Sequence, residues 1–176
     1  MFRKILLALS CLFTITAHAG TSQVTWQSPE NYADIYVSIE NKKTFQNDLF
    51  NVFDNHFENL AAQLPEGYSL YVNVNNLDLA GAISFANSRK IRVVDNTTPP
   101  RIEFDFQVID SNNKVIISRG VYLWPKHFKF QRSLHANKPY YHELDLISEW
   151  FNNTFSPFDL TLSHEKAKYS LFFLYS

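Results

Sequence analysis

The residues with most chemistry to offer cluster late in the chain: His127, His135, His142, Glu143 and His164. Imidazoles and carboxylates in such number can bind zinc or copper, but none of the spacings is that of a known metal site. A zinc-protease helix carries its second histidine four places after the first, and after His142-Glu143 that place holds Leu146. Scattered surface histidines are the plainer reading, and no metal or cofactor is expected. A second polar set, Asp78, Arg92 and Arg101, sits beside glycine or proline at strand ends, where loops often carry function. Its structural account is a bond from Asp78 to the turn at Ala80-Gly81 and a cross-strand pair for Arg101. No G-x-S-x-G elbow occurs, and the four glycines form no phosphate-binding loop. One stretch mixes aromatic and basic side chains: Trp124, Phe128 and Phe130 stand among Lys126, His127 and Lys129. Pro125 prevents that stretch from continuing as a central strand. Trp124, Lys126, Phe128 and Lys129 are therefore the candidate binding surface, suited to a protein or glycan partner.

The N-terminus gives the address. Arg3 and Lys4 precede an apolar run from Ile5 to Ile15, and Ala17-His18-Ala19 is an A-x-A cleavage signal before Gly20. The run is too short to cross a bilayer, which takes ~20 apolar residues. Cys11 is not read as a lipidation site, because Ala8 stands where a lipobox prefers leucine. The expectation is a secretory signal over 1–19, cut after Ala19, and a periplasmic protein with no transmembrane segment after cleavage. The exported chain then has no cysteine, since Cys11 is the only one, so disulfides and thiolate chemistry are excluded. Loss of Arg3 and Lys4 leaves 14 basic against 17 acidic residues, a balance that argues against nucleic acid as a partner.

The elements that would position these groups follow from periodicity. Val24-Thr25-Trp26 reads as a short strand, and Ile35, Val37 and Ile39 as a second or an extended lead-in. Phe45, Leu49, Val52, Phe53, His56, Phe57, Leu60 and Leu64 recur at three and four, the spacing of an amphipathic helix that Pro65-Glu66-Gly67 stops. Leu70, Val72 and Val74 alternate as a strand. The apolar parity then changes to Leu77 and Leu79, which requires a bulge near Asn75-Asn76. Ile91 to Val94 is another strand, and Asp95 to Pro100 a rigid connection. Ile102, Phe104, Phe106 and Val108 alternate with Arg101, Glu103, Asp105 and Gln107, so Phe104 and Phe106 belong to the core. Asp110 to Asn113 is a hairpin turn. Val115, Ile117, Val121 and Leu123 form the return strand, interrupted at Arg119-Gly120. A second helix is expected from about Pro139 to Phe155, with Pro139 in its first turn and Tyr140, Leu144, Ile147, Phe151 and Phe155 on one face. The sum is an α+β two-layer domain over 20–155, an antiparallel sheet with both helices on one face. Residues 156–176 are an extension in which Tyr169 to Tyr175 could be a final strand.

Several of these residues carry a resemblance. Val24-Thr25-Trp26 with Tyr32 and Asp34-Ile35, Leu64-Pro65 with Gly67, and Leu77-Asp78-Leu79-Ala80-Gly81 follow one another in family order. Ile91-Arg92-Val93, Pro99-Pro100-Arg101-Ile102, Gly120, and Glu143 with Trp150-Phe151 continue it. In these the chain resembles a family of exported proteobacterial proteins catalogued as a domain of unknown function, number 3016 in that series. The resemblance implies an exported domain and assigns no activity or catalytic residue. The chain departs from it at Trp124-Pro125, where an acidic residue is expected, and at Leu144-Asp145, in a helix that is elsewhere basic.

The leading functional reading is a non-enzymatic binding or accessory protein of the cell envelope, with an envelope protein or glycan as partner. The alternatives are a small envelope hydrolase using Asp78 or Glu143 with His142, and an outer-membrane-associated protein whose aromatic tail makes the contact. The export reading has a direct test. Intact-mass measurement of the protein from a periplasmic fraction should show a chain beginning at Gly20. A mass that keeps residues 1–19, or a lipidated Cys11, contradicts it.

Overall fold

The computed structural model describes residues 20–32, 42–86, 89–126, 128 and 138–155. Residues 1–19, where a leader is expected, the lead-in at 35–39 and the chain after Phe155 lie outside the described residues. The elements are β1 (Thr21–Trp26), a short 3-10 turn at Pro29–Asn31, α1 (Lys42–Ala61), β2 (Ser69–Asp78), β3 (Ala82–Ala86) and β4 (Arg89–Val93). They continue with β5 (Arg101–Ile109), β6 (Val115–Leu123) and α2 (Tyr141–Thr154). One sheet has the order β1-β2-β5-β6, and β3 and β4 form a separate hairpin.

Alternation lays down the sheet. In β5, Ile102, Phe104, Phe106 and Val108 are buried, while Arg101, Glu103, Asp105 and Gln107 are exposed. β2 runs antiparallel to β5 and sets Leu70, Val72 and Val74 opposite Val108, Phe106 and Phe104. The register then shifts between Val74 and Asn76, so Asn75 is the extra residue of the expected bulge. Beyond it Leu77 faces Ile102 in the core, and Asp78 faces Arg101 on the outer side. β6 returns through a turn in which the Asp110 carboxylate accepts from the backbone N–H groups of Asn112 and Lys114. Arg119-Gly120 does not interrupt this strand. Both pair in register with Phe106 and Asp105, because glycine keeps its backbone donor and acceptor.

The sheet is mixed at one edge, where β1 runs parallel to β2. Parallel neighbours need a crossover connection, and α1 lies within it. Trp26 ties the two together: its indole stacks on Phe50 at 4.1 Å and donates to the Asp54 carboxylate at 3.0 Å. Tyr32 anchors the chain after β1 by donating to the carbonyl of Val74 at 2.6 Å, directly before the bulge. Burial pushes this phenol up to about 12.

Both helices cover the same face. Phe57 of α1 meets Phe104 edge-on at 5.9 Å, and Trp150 of α2 meets Phe104 and Phe106 edge-on at 4.8 and 5.0 Å. His56 and Ser148 join the helices at 2.9 Å. The second helix starts later than its periodicity suggests. Tyr140 adopts a left-handed conformation, φ 58°, which breaks the ladder and leaves Pro139 in the preceding turn. No described helix is long and apolar enough to cross a membrane.

Phe53 and Phe104 are fully enclosed and Gln107 is exposed. Truncating either phenylalanine to alanine should cost ~3–5 kcal/mol. Gln107→Ala should cost under ~0.5 kcal/mol. Denaturant titration checks the contrast, and equal losses at the three positions would contradict the strand parity.

Candidate functional site

Two concave regions and one open face hold the sequence-predicted groups. The first lies where β2 runs into the β3–β4 hairpin. Leu79 is buried, and Gly81 turns the chain at φ 81°, a conformation open to glycine; a Cβ there would also strike the Val93 carbonyl. The Ala80 N–H left by this turn donates to Glu143 Oε1 at 2.6 Å. Arg92 reaches back from β4 to donate to the Gly81 carbonyl at 3.1 Å and the Ala80 carbonyl at 3.5 Å. Glu143, in the first turn of α2, is only 2% exposed. Burial raises its pKa above the ordinary carboxylate value; the Ala80 N–H and the Arg92 charge work against that rise. His142 lines the same cleft, with Phe128 edge-on to it at 5.0 Å, and burial lowers its pKa. The cleft measures about 110 Å³, well below the ~300 Å³ at which small-molecule sites begin. With its carboxylate committed to a backbone amide, this cluster fastens the hairpin turn to α2.

The second region lies at the end of β6. Trp124 is 55% exposed, and Arg101 sits over its ring at 5.9 Å. A cleft of about 590 Å³ opens beside it, walled by Tyr122, Lys126 and Glu149, with Trp150 and Asn153 from α2. Tyr122 is 59% exposed. The volume is that of a ligand site, and its lining mixes aromatic surface with both signs of charge.

The third region is the face of the sheet that no described helix covers. A shallow trough of about 580 Å³ crosses it over Gly120, bounded by Tyr71, Asn73, Asp105, Gln107 and Ser118. The floor is polar and pre-ordered. Asn73 donates to Gln27 and Asn75, Asn75 donates to Asp105, and Gln107 donates to Ser118.

The predicted residues divide among these regions. Trp124 and Lys126 stand together at the large cleft. Phe128 is half-buried against His142, away from that pair, and Lys129 lies outside the described residues. Asp78 and Arg101 face each other across β2 and β5, Arg92 belongs to the Ala80–Glu143 cluster, and the Asp78 charge also reaches Glu143 and raises its pKa. His127, His135 and His164 lie outside the described residues. Among the described residues no group of three or more metal-ligating side chains converges. The exposure of Tyr122 and the trough over Gly120 went unremarked in the sequence. Parity carries the signal: Tyr122 and Gly120 are out of phase with the inward Ile117, Val121 and Leu123.

The fold defines a class: an α+β two-layer protein whose sheet carries both described helices on one side. The family model described as "Protein of unknown function (DUF3016)" matches residues 20–153, and the chain belongs to that family. No curated protein matches it.

The cluster has a pH signature. Folding raises the Glu143 pKa above its ordinary 4.5, so the folded state holds this proton more tightly than the unfolded state. Its contribution to stability therefore improves as pH falls from the folded value toward 4.5, then stays constant. His56 acts oppositely: burial lowers its pKa from 6.5, so stability is lost as pH falls below 6.5. Comparing wild type with Glu143→Gln cancels the histidine. The stability difference, measured by denaturant titration, should shift toward wild type as pH falls toward 4.5. A difference independent of pH contradicts the assignment.

Proposed function

We propose that the protein is exported to the periplasm, with its signal cut after Ala19, and serves there as a non-enzymatic binding or accessory protein of the cell envelope. The export half rests on Arg3-Lys4, the apolar run Ile5 to Ile15 and the A-x-A signal. The binding half rests on one observation: Trp124 is more than half exposed at the mouth of a cleft of about 590 Å³. An exposed indole beside a concave, partly charged surface is a common anchor for a partner. Against the hydrolase reading, Glu143 and His142 line a cleft of about 110 Å³, where Glu143 is already bonded to Ala80, and Asp78 is not in that lining.

The test immobilises the exported form and measures what it captures from an envelope extract. Trp124→Ala and Lys126→Glu should each weaken capture at least five-fold while the melting temperature moves by no more than ~2 °C, since both side chains are exposed. A large fall in melting temperature on Trp124→Ala, with capture indifferent to Lys126→Glu, would return the segment to the core and contradict the reading.

A further inference from the structure

We infer that the ligand of this surface is a linear β-linked glycan, laid along a track from Tyr71 over Gly120 to Tyr122 and Trp124. The inference rests on the binding reading above and gives it a ligand class. A β-linked pyranose chain is a flat ribbon, with apolar C–H faces and hydroxyl or acetamido edges. Such a ribbon needs exposed aromatic faces to stack on and neutral side chains that both donate and accept hydrogen bonds.

The track supplies both. Tyr71, Tyr122 and Trp124 are 40%, 59% and 55% exposed on the helix-free side or its margin. Register sets their order: Tyr71 faces Gln107, Gln107 faces Ser118, and Ser118, Gly120 and Tyr122 follow on the same side of β6. With strands ~4.8 Å apart and a rise of ~3.3 Å per residue, Tyr71 and Trp124 lie roughly 20 Å apart. That is the length of an oligosaccharide, not of one sugar.

Gly120 makes the track continuous. Its neighbours on that side of the strand are Ser118 and Tyr122, and the missing side chain leaves the trough between them open. A Cβ at this position would stand 3.1 Å from the Asp105 carboxylate. Around the trough, the amides of Asn73, Asn75 and Gln107 are held in place by their own hydrogen bonds. Each amide carries more donor and acceptor positions than those bonds consume. Charge decides between polymers. Arg119 and Lys126 are set against Asp105 and Glu149, so the charged residues of the two linings have no net sign. A polyanion or polycation finds no complement here, and a neutral ribbon does.

Isothermal titration of the exported chain with soluble N-acetylglucosamine oligomers tests the inference. The tetramer should bind at least ten-fold more tightly than the single sugar. Tyr122→Ala should weaken the tetramer at least ten-fold. Gly120→Thr should do the same by filling the trough, and as a strand-favouring residue at a site without positive φ it should keep the fold. Circular dichroism melting confirms that the variants are folded. Absence of length dependence, or binding indifferent to both variants, overturns the inference. If no oligomer binds but Trp124→Ala still abolishes capture of an envelope protein, the glycan assignment fails and the binding reading stands. If neither occurs, both fail.

Discussion

The packing of Trp150 is the interaction on which the remaining structure depends. Its indole stands edge-on to Phe104 and Phe106 in the sheet and to Phe155 at the end of its own helix. Each such pair adds ~0.5–1.5 kcal/mol beyond the area it buries. Together they clamp α2 to the middle of the β5 surface, beside the α1 contact between Phe57 and Phe104. Both helices are thereby committed to one face of the sheet, and no described helix covers the opposite face. Trp150 also forms part of the wall of the cleft beside Trp124. The core residue that fixes the layer therefore shapes the surface assigned to binding.

A second constraint works on polar groups. The turn after β2 leaves the Ala80 N–H and two carbonyls in a place with little water, and each must find a partner. Glu143 supplies the acceptor and Arg92 the donor, from elements far apart in the chain. A buried carboxylate adds little net stability of its own, because desolvation consumes most of its attraction. Its value here is positional: the Ala80 N–H and the Arg92 guanidinium hold the hairpin turn against the start of α2. Glu143 and Arg92 thus both bond to the backbone of the turn.

Much of the architecture was legible because parity and helical spacing are strong signals. Phe104 and Phe106 read as inward, and the change from Val74 to Leu77 located the bulge at Asn75. The parallel pairing of β1 was not legible, since six residues with weak alternation carry no sign of strand direction. The second helix was placed two residues early, because Pro139 fits a first turn and nothing in the sequence announces the left-handed Tyr140. Gly120 read as a break, although a glycine in an edge strand removes a side chain without removing pairing. The candidate surface was half legible. Trp124 and Lys126 followed from Pro125 ending the strand, whereas Tyr122 and the open face required knowing which strands adjoin. Glu143 gave little warning, as a carboxylate in a first helical turn ordinarily faces solvent.

The proposed binding surface is the sheet face over Gly120 with the end of β6, set apart from the Glu143 cluster. The chain has three tryptophans, and their environments differ in a useful way. The Trp26 indole is bonded to Asp54, Trp150 is buried, and Trp124 is exposed. Nuclear magnetic resonance resolves the three indole N–H signals and the backbone amides during a titration with N-acetylglucosamine tetramer. The account predicts shifts at the Trp124 indole and at the amides of Tyr71, Gly120 and Tyr122, with Trp26, Ala80 and Glu143 unmoved. Shifts centred on Ala80, Arg92 and Glu143, with the Trp124 signal unchanged, would contradict it.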